Sequence, residues 1–177
     1  MCYDTSPSAQ RAMQVAHDCL GDQPVVLLHV WNPPERIHPD SFGMGDSHGP
    51  SYEQLVRSNE ERAAEIVGEG QRLATSLDLD VTLRAERSHS SVWQTILNVA
   101  DELDSELIVT GTHGGTAVTT GLLGSVSNAL IHNSPRPVLT VPHSTVTSQL
   151  AQSTAGKYRA GPGAFAPTSR SEPPMGR

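Results

Sequence analysis

The sequence predicts an α/β fold in which helices alternate with the strands of an open parallel sheet. Three apolar segments rich in Val, Leu and Ile are typical of strands covered on both faces: residues 24–31, 106–112 and 136–142. A fourth, residues 81–87, alternates Val81, Leu83 and Ala85 with polar residues, as an edge strand does. Apolar residues at helical spacing fill the intervals, and such alternation indicates βαβ units with right-handed crossovers.

Local signals place the four predicted helices. The first is expected to start after the N-cap Ser6 and to end at Gly21. The second covers about residues 51–77 and the third residues 92–103, because apolar side chains recur there at steps of three and four. The last begins near Ser125.

A strand should precede the first helix, yet only three residues precede Asp4. Strands usually have about five or six residues. We therefore interpret residues 1–3 as the stub of a truncated first strand, and we expect the true start codon to lie a few codons upstream.

Length and composition indicate one folded domain, residues 1–142, followed by a disordered tail, residues 143–177, rich in Ser, Thr, Ala, Gly and Pro. The net charge of −7 argues against nucleic-acid binding, which needs clustered Lys and Arg. Cys2 and Cys19 form no disulfide framework. The sequence has no apolar run of about 20 residues and no signal-peptide pattern. We therefore expect a cytoplasmic protein that does not enter membranes.

The segment GTHGGTAVTTGLLGSVSNAL, residues 111–130, has five glycines and a single ionisable side chain, His113. It joins a predicted strand to a predicted helix, where glycine lets backbone N–H groups approach a phosphate and the helix N-terminus attracts anions. The Ser125 and Ser127 hydroxyls are expected to cap the helix, to bond a phosphate, or both. The alternative is a flexible turn before a buried helix.

Other sites are not supported. The sequence contains no GxxxxGK[ST], GxGxxG or GxSxG motif, which excludes a Walker A loop, a dinucleotide fingerprint and a hydrolase nucleophile elbow. His38, Asp40, Asp46 and His48 lie in a Pro/Gly-rich loop without regular spacing, so we interpret them as solvated rather than as metal ligands.

The spacing Gly111-x2-Gly114-x9-Gly124-Ser125 resembles the motif of the ATP-binding branch of the universal stress protein family. GSVSNALIHNSPRPVLTVP is similar to the family's last helix and strand, YDTSPSAQRAM to the start of its first helix, and LLHVW to its second strand. The resemblance extends over residues 1–142. It implies a three-layer α/β/α, adenine nucleotide alpha hydrolase-like fold with five strands in the order 3-2-1-4-5, and a homodimer formed through the last strand, about Val138–Val141.

The resemblance also implies a site for ATP, ADP or AMP, with Mg²⁺. Asp4 would contact the nucleoside, the backbone of Val30 would recognise adenine, and the glycine motif would surround the ribose and phosphates. For Asp4 the alternative is that it only helps to cap the first helix. For His113, phosphate contact and plain loop solvation both remain open. The complete predicted set is Asp4, Val30, Thr110, Gly111, His113, Gly114, Gly124, Ser125, Val126 and Ser127.

Two positions depart from the family pattern. Gly115 stands where relatives often carry a basic residue, which removes a phosphate partner, and Thr5 replaces a glycine. The expected function is a stress-response regulatory dimer that binds a nucleotide and is not an enzyme. The alternatives are a nucleotide-independent dimeric scaffold, a weak ATPase, or an enzyme of the related α-hydrolase or adenylylation type.

Overall fold

The computed structural model describes residues 1–21, 23–35, 49–114 and 123–143. The predicted tail after residue 143, residues 36–48 of the Pro/Gly-rich loop and Gly115 lie outside the described residues. The predicted helices and strands are confirmed, with bounds that differ by at most two residues. They are α1 Pro7–Leu20, β1 Val25–Trp31, α2 Tyr52–Ser76, β2 Val81–Arg87, α3 Val92–Glu102, β3 Ile108–Gly111, α4 Ser125–Asn133 and β4 Val138–Val141.

The strands pair in parallel, β1 with β2 and β3 with β4. Residues 1–3 lie between the two pairs. The N–H of Cys2 donates to the carbonyl of Val109 in β3 at 2.8 Å, and the N–H of Tyr3 donates to the carbonyl of Leu28 in β1 at 2.9 Å. The stub therefore connects β1 to β3 and ends at the residue before Asp4.

Apolar clusters cover both sides of β1, because successive side chains of a strand point in opposite directions. Leu27 belongs to a cluster with residues of α1 and α2, whereas Leu28 belongs to a cluster with residues of α3 and α4. A third cluster joins α1 to β3 and β4, and here Ala12 and Ala16 of the helix have no exposed surface. These small side chains let α1 approach the strands closely.

The edge strand β2 departs from the predicted alternation in its second half, where Ala85 is exposed and Arg84 and Glu86 are half-buried. Val81 and Leu83 pack against the cluster under α2, but Ala85 is exposed because that cluster ends at Leu83. The neighbouring Arg84 forms ion pairs with Glu86 at 3.1 Å and with Glu102 of α3 at 2.7 Å.

Three of the four described helices begin with a serine cap. Ser6, Ser51 and Ser91 each accept a hydrogen bond from the backbone N–H three residues ahead. Helix α4 differs, because its N-cap is Gly124 and no side chain caps it. No described side chain therefore satisfies its first N–H groups. None of the described helices is both long enough and apolar enough to cross a bilayer.

Candidate functional site

A cavity of about 350 Å³ opens at the carboxyl ends of β1 and β3, beside the residues that follow the stub. Ligands of open parallel sheets bind at this edge. All ten residues of the predicted set line the cavity: Asp4, Val30, Thr110, Gly111, His113, Gly114, Gly124, Ser125, Val126 and Ser127. The fold therefore brings together segments that lie more than a hundred residues apart in the sequence. Their role as ligand contacts stays a prediction.

The sequence interpretation missed the mostly apolar remainder of the lining. Val92 and Ile96 lie one turn apart on α3, and that helix starts at the same edge of the sheet. Their helical spacing could therefore have predicted that both residues line the cavity. His29 precedes Val30 directly, and its Nδ1 lies 2.8 Å from the Tyr3 carbonyl. The complete missed set is Cys2, Tyr3, Ser6, Ala9, Leu28, His29, Val92 and Ile96.

Asp4 reaches from the stub to the glycine loop, residues 111–114. Its Oδ1 accepts a hydrogen bond from the N–H of Ser6 at 3.0 Å. Its Oδ2 lies where the Cβ of any side chain at Gly114 would stand. The two segments are thus in contact at the cavity, and a side chain at residue 114 would force the Asp4 carboxylate to move.

The backbone beside Asp4 is strained. Thr5 has φ of +65°, the left-handed region that a β-branched residue adopts only at a cost. The family resemblance places a glycine here, and the observed angle gives the physical reason. Strained residues are often found at functional sites, where the surrounding structure holds them.

The other two motif glycines pack against the protein itself. A Cβ at Gly111 would overlap the Ser8 hydroxyl and lie 2.8 Å from the N of Ala9. A Cβ at Gly124 would lie 2.9 Å from the Thr112 carbonyl. Their spacing therefore serves close packing of α1 and the start of α4 against the end of β3, in addition to any ligand role.

The two serines of α4 do not cap it, so the capping interpretation is wrong: the helix begins at Ser125, and Gly124 occupies the N-cap position. The buried Ser127 hydroxyl instead donates to the Gly111 carbonyl at 2.7 Å. This bond fixes the N-terminus of α4 against the end of β3. Ser125 is exposed at the cavity rim, which leaves its hydroxyl available to a ligand.

His113 is half-buried rather than a freely solvated loop side chain. Its Nδ1 lies 3.1 Å from the Thr112 hydroxyl. Its Nε2 is buried and has no hydrogen-bond partner among the described residues. Buried polar atoms are almost always paired, so this nitrogen is a candidate contact for a bound ligand.

The charge of the cavity is set by very few groups. Among the lining residues that the structure describes, Asp4 is the single carboxylate and none is Lys or Arg. Burial raises the pKa of the Cys2 thiol and of the Tyr3 phenol, so both side chains are neutral near pH 7. The N-terminus of α4 adds a partial positive charge, about half an elementary charge for a helix dipole.

The backbone of Val30 is directed toward the cavity. In a parallel ladder alternate residues bond to the same neighbour, and Leu28 uses both its N–H and its carbonyl on the stub. Val30, two residues on, therefore directs both groups to the same side. The stub has ended there, and the Tyr3 carbonyl is hydrogen-bonded to the His29 ring. A donor and an acceptor of β1 thus face the cavity beside each other.

The fold and this cavity define an α/β protein with parallel strands and a ligand-sized crevice at the ends of those strands. The chain belongs to the universal stress protein family, whose family model matches residues 1–142. It is 34% identical over 143 residues to a universal stress protein of Synechocystis, covering 78% of this chain and 81% of that protein. It is 31% identical to one of Mycolicibacterium smegmatis, of which it covers only 43%.

Solved structures share the fold. Universal stress protein UspA from Lactobacillus plantarum superposes with a TM-score of 0.62 at 19% identity, covering 79% of this chain and 93% of that one. A universal stress protein in complex with cAMP gives 0.55 at 20% identity, covering 81% and 94%. The Archaeoglobus fulgidus protein in complex with dAMP gives 0.52 at 17% identity, covering 78% and 90%. At these identities the likeness establishes the fold alone.

Proposed function

We propose that the cavity binds an adenine nucleotide, with the base at Val30 and the phosphate at the N-terminus of α4. The observation that carries the proposal is the uncapped start of α4 at Gly124, which opens into the cavity. Its first N–H groups, for which the described residues supply no side-chain cap, and its helix dipole favour an anion there.

The base end matches adenine in hydrogen bonding and polarity. The N–H and carbonyl of Val30 form a donor–acceptor pair, and adenine carries an N6 amino donor beside ring-nitrogen acceptors. Leu28, Val92 and Ile96 supply the apolar lining that a flat aromatic base requires. A strand end of this kind recognises a base without any charged side chain.

The phosphate end is built mostly from backbone. Gly114 and Gly124 line it without a Cβ, and no described residue forms a hydrogen bond with the Nε2 of His113. Two relatives of the same fold are described as complexes with cAMP and with dAMP, both adenine mononucleotides. That agreement supports a ligand of this class.

The sparse positive charge favours a nucleotide with one phosphate over ATP. Each further phosphate adds negative charge to a cavity that holds the Asp4 carboxylate and no described Lys or Arg. The sequence of residues 111–130 supplies no Lys or Arg either. We therefore expect AMP to bind more tightly than ADP, and ADP more tightly than ATP.

The described residues do not fit a protein-held Mg²⁺. Mg²⁺ is usually bound by one or two carboxylates together with phosphates. Asp4 is the single carboxylate among the described lining residues and already accepts a hydrogen bond from the N–H of Ser6. In the described part of the chain, no group of three or more His, Cys, Asp and Glu side chains is arranged to hold a metal. Mg²⁺ would thus enter only with the phosphates of ADP or ATP.

The proposal includes a five-stranded sheet of order 3-2-1-4-5 between two helical layers. The hydrogen bonds of the stub to β1 and β3 support the order, and apolar clusters on both sides of β1 support the layers. We also propose a homodimer through Val138–Val141. Among the described strands β4 pairs only with β3, which leaves its outer edge open to a second copy.

We propose a regulatory, stress-response role through binding rather than catalysis. A bound nucleotide would contact Asp4 after the stub, the glycine loop and α4 together. It would therefore change the protein surface around the cavity, which is available to partner proteins. The alternative is a nucleotide-independent dimeric scaffold. The strained backbone at Thr5 favours this alternative, because a distorted loop beside Asp4 weakens nucleotide binding.

Mass spectrometry of the denatured purified chain, followed by titration of the stripped chain with adenosine, AMP, ADP and ATP, tests the proposal. We expect co-purified adenine nucleotide and the affinity order given above. A folded chain that carries no nucleotide and binds none of the four would establish the scaffold. Release of ADP from ATP at a steady rate would instead identify an ATPase.

A further inference from the structure

Ser8, in the first turn of α1, is buried with only 3% of its surface exposed. It does not line the cavity, whereas Ser6 and Ala9 on either side do. A ligand in the cavity therefore meets its neighbours and not Ser8 itself. Its hydroxyl is directed instead toward the glycine loop.

The Ser8 hydroxyl bonds both backbone groups of His113. Its Oγ donates to the His113 carbonyl in a short hydrogen bond and accepts from the His113 N–H at 3.4 Å. One side chain of α1 thus holds a single residue of the glycine loop at two points. These two residues are 105 positions apart in the sequence.

A second serine completes the arrangement. The Ser6 Oγ lies 3.3 Å from the Ser8 Oγ and accepts from the N–H of Ala9. Since the Ser8 proton is used on the His113 carbonyl, Ser6 is the donor between the two hydroxyls. Every hydrogen-bonding position of the Ser8 hydroxyl is then occupied.

The contacts form a closed path around one side of the cavity. Asp4 accepts from the N–H of Ser6, Ser6 donates to Ser8, Ser8 holds His113, and the next residue, Gly114, lies against Asp4. The position of the Asp4 carboxylate relative to the glycine-loop backbone therefore depends on Ser8. Asp4, His113 and Gly114 on this path line the cavity, whereas Ser8 does not.

We propose that Ser8 is a positioning residue of the ligand site, which sets the glycine-loop backbone at His113 and Gly114 against Asp4. The inference rests on the proposed nucleotide-binding function. Removing the hydroxyl leaves the His113 N–H and carbonyl without their partner, so the loop shifts and the ligand loses its preformed contacts.

The test compares Ser8→Ala with Thr95→Val in the full chain. Thr95 is also a buried hydroxyl, which donates to the Ser91 carbonyl at 3.0 Å, but it lies outside the cavity lining. By calorimetry with AMP, Ser8→Ala should bind about tenfold more weakly and Thr95→Val within about twofold of wild type. Equal losses in both variants, or wild-type affinity in Ser8→Ala, would overturn the proposal.

Hydrogen exchange in the wild-type chain gives a readout that needs neither a variant nor a ligand. The His113 amide should exchange about tenfold more slowly than the Gly114 amide after correction for intrinsic rates, because Ser8 holds it. Equal rates would overturn the positioning role. A wild-type chain that shows this difference but binds no nucleotide would refute the proposed function alone.

Discussion

The Oδ2 of Asp4 occupies the space that a side chain at Gly114 would need. This contact joins the end of the stub to the glycine loop across a cavity whose other walls are β1, α3 and α4. The missing side chain of Gly114 therefore leaves room for a carboxylate as well as for backbone N–H groups. A substitution there disturbs two predicted ligand contacts together.

Gly114→Val is expected to weaken AMP binding by about tenfold or more, because its side chain displaces Asp4 and enters the cavity. The fold should remain, since Gly114 is exposed and lies outside the helices and strands. Gly68→Ala is the matched control, because a Cβ there meets nothing within 4 Å and the residue lies on α2, away from the cavity. Calorimetry should show wild-type affinity for the control, and equal affinity in all three chains would refute the site.

Two glycines of α2 are expected to respond oppositely to alanine. A Cβ at Gly70 would overlap the Leu27 side chain and lie 2.9 Å from the Tyr3 ring, so Gly70→Ala should lower the free energy of unfolding by about 1–3 kcal/mol. Gly68→Ala should raise it by about 0.5–1 kcal/mol through helix propensity. Urea denaturation measures both, and a stabilised Gly70→Ala would contradict the packing of α2 on Tyr3.

Thr5→Gly is expected to raise the free energy of unfolding by about 1 kcal/mol. It relieves a left-handed conformation that costs about 1–2 kcal/mol, less the entropic cost of an added glycine. Thr5→Ala keeps the Cβ, so its free energy of unfolding should rise less than that of Thr5→Gly. Urea midpoints at one protein concentration compare the three chains; a lower midpoint for Thr5→Gly would show that Thr5 is not strained in solution.

The ion pair between Arg84 and Glu102 should give a pH-dependent contribution to stability. The hydrogen bond from Arg84 lowers the pKa of Glu102 below its ordinary value. That contribution is present above the unfolded pKa of about 4.3 and is lost as the pH falls through the lowered folded pKa. Glu102→Gln should therefore be slightly less stable than wild type at pH 7 and equally stable at strongly acidic pH.

A difference that stays constant from pH 7 into the acid range would contradict this pairing. Because Glu102 is exposed, the effect at pH 7 should also shrink when salt is added. The same urea series at low and high ionic strength checks this.

The strands and helices could be predicted because their signals are local. Continuous apolar runs marked β1, β3 and β4, and Ser6 and Gly21 marked the ends of α1. The placement of the glycine loop at a ligand crevice followed from the rule that open parallel sheets bind ligands at the carboxyl ends of their strands. The family resemblance then named the individual residues.

What the sequence could not indicate depends on contacts between distant residues. No local pattern identifies Ser8 as a partner of His113. A serine at the start of a helix usually forms its hydrogen bonds with the backbone of that same helix. The direction of the Ser127 hydroxyl toward Gly111 likewise depends on how α4 packs against β3. Thr5 could be identified as unusual only by resemblance, since its strain lies in a backbone angle.

Calorimetric titration of the nucleotide-free wild-type chain with AMP tests the central claim most directly. We predict saturable binding of one AMP per chain, about tenfold tighter than binding of ATP without Mg²⁺. The contradicting result is a chain that circular dichroism shows to be folded but that gives no saturable heat with AMP, ADP or ATP. In that case this cavity is not a nucleotide site.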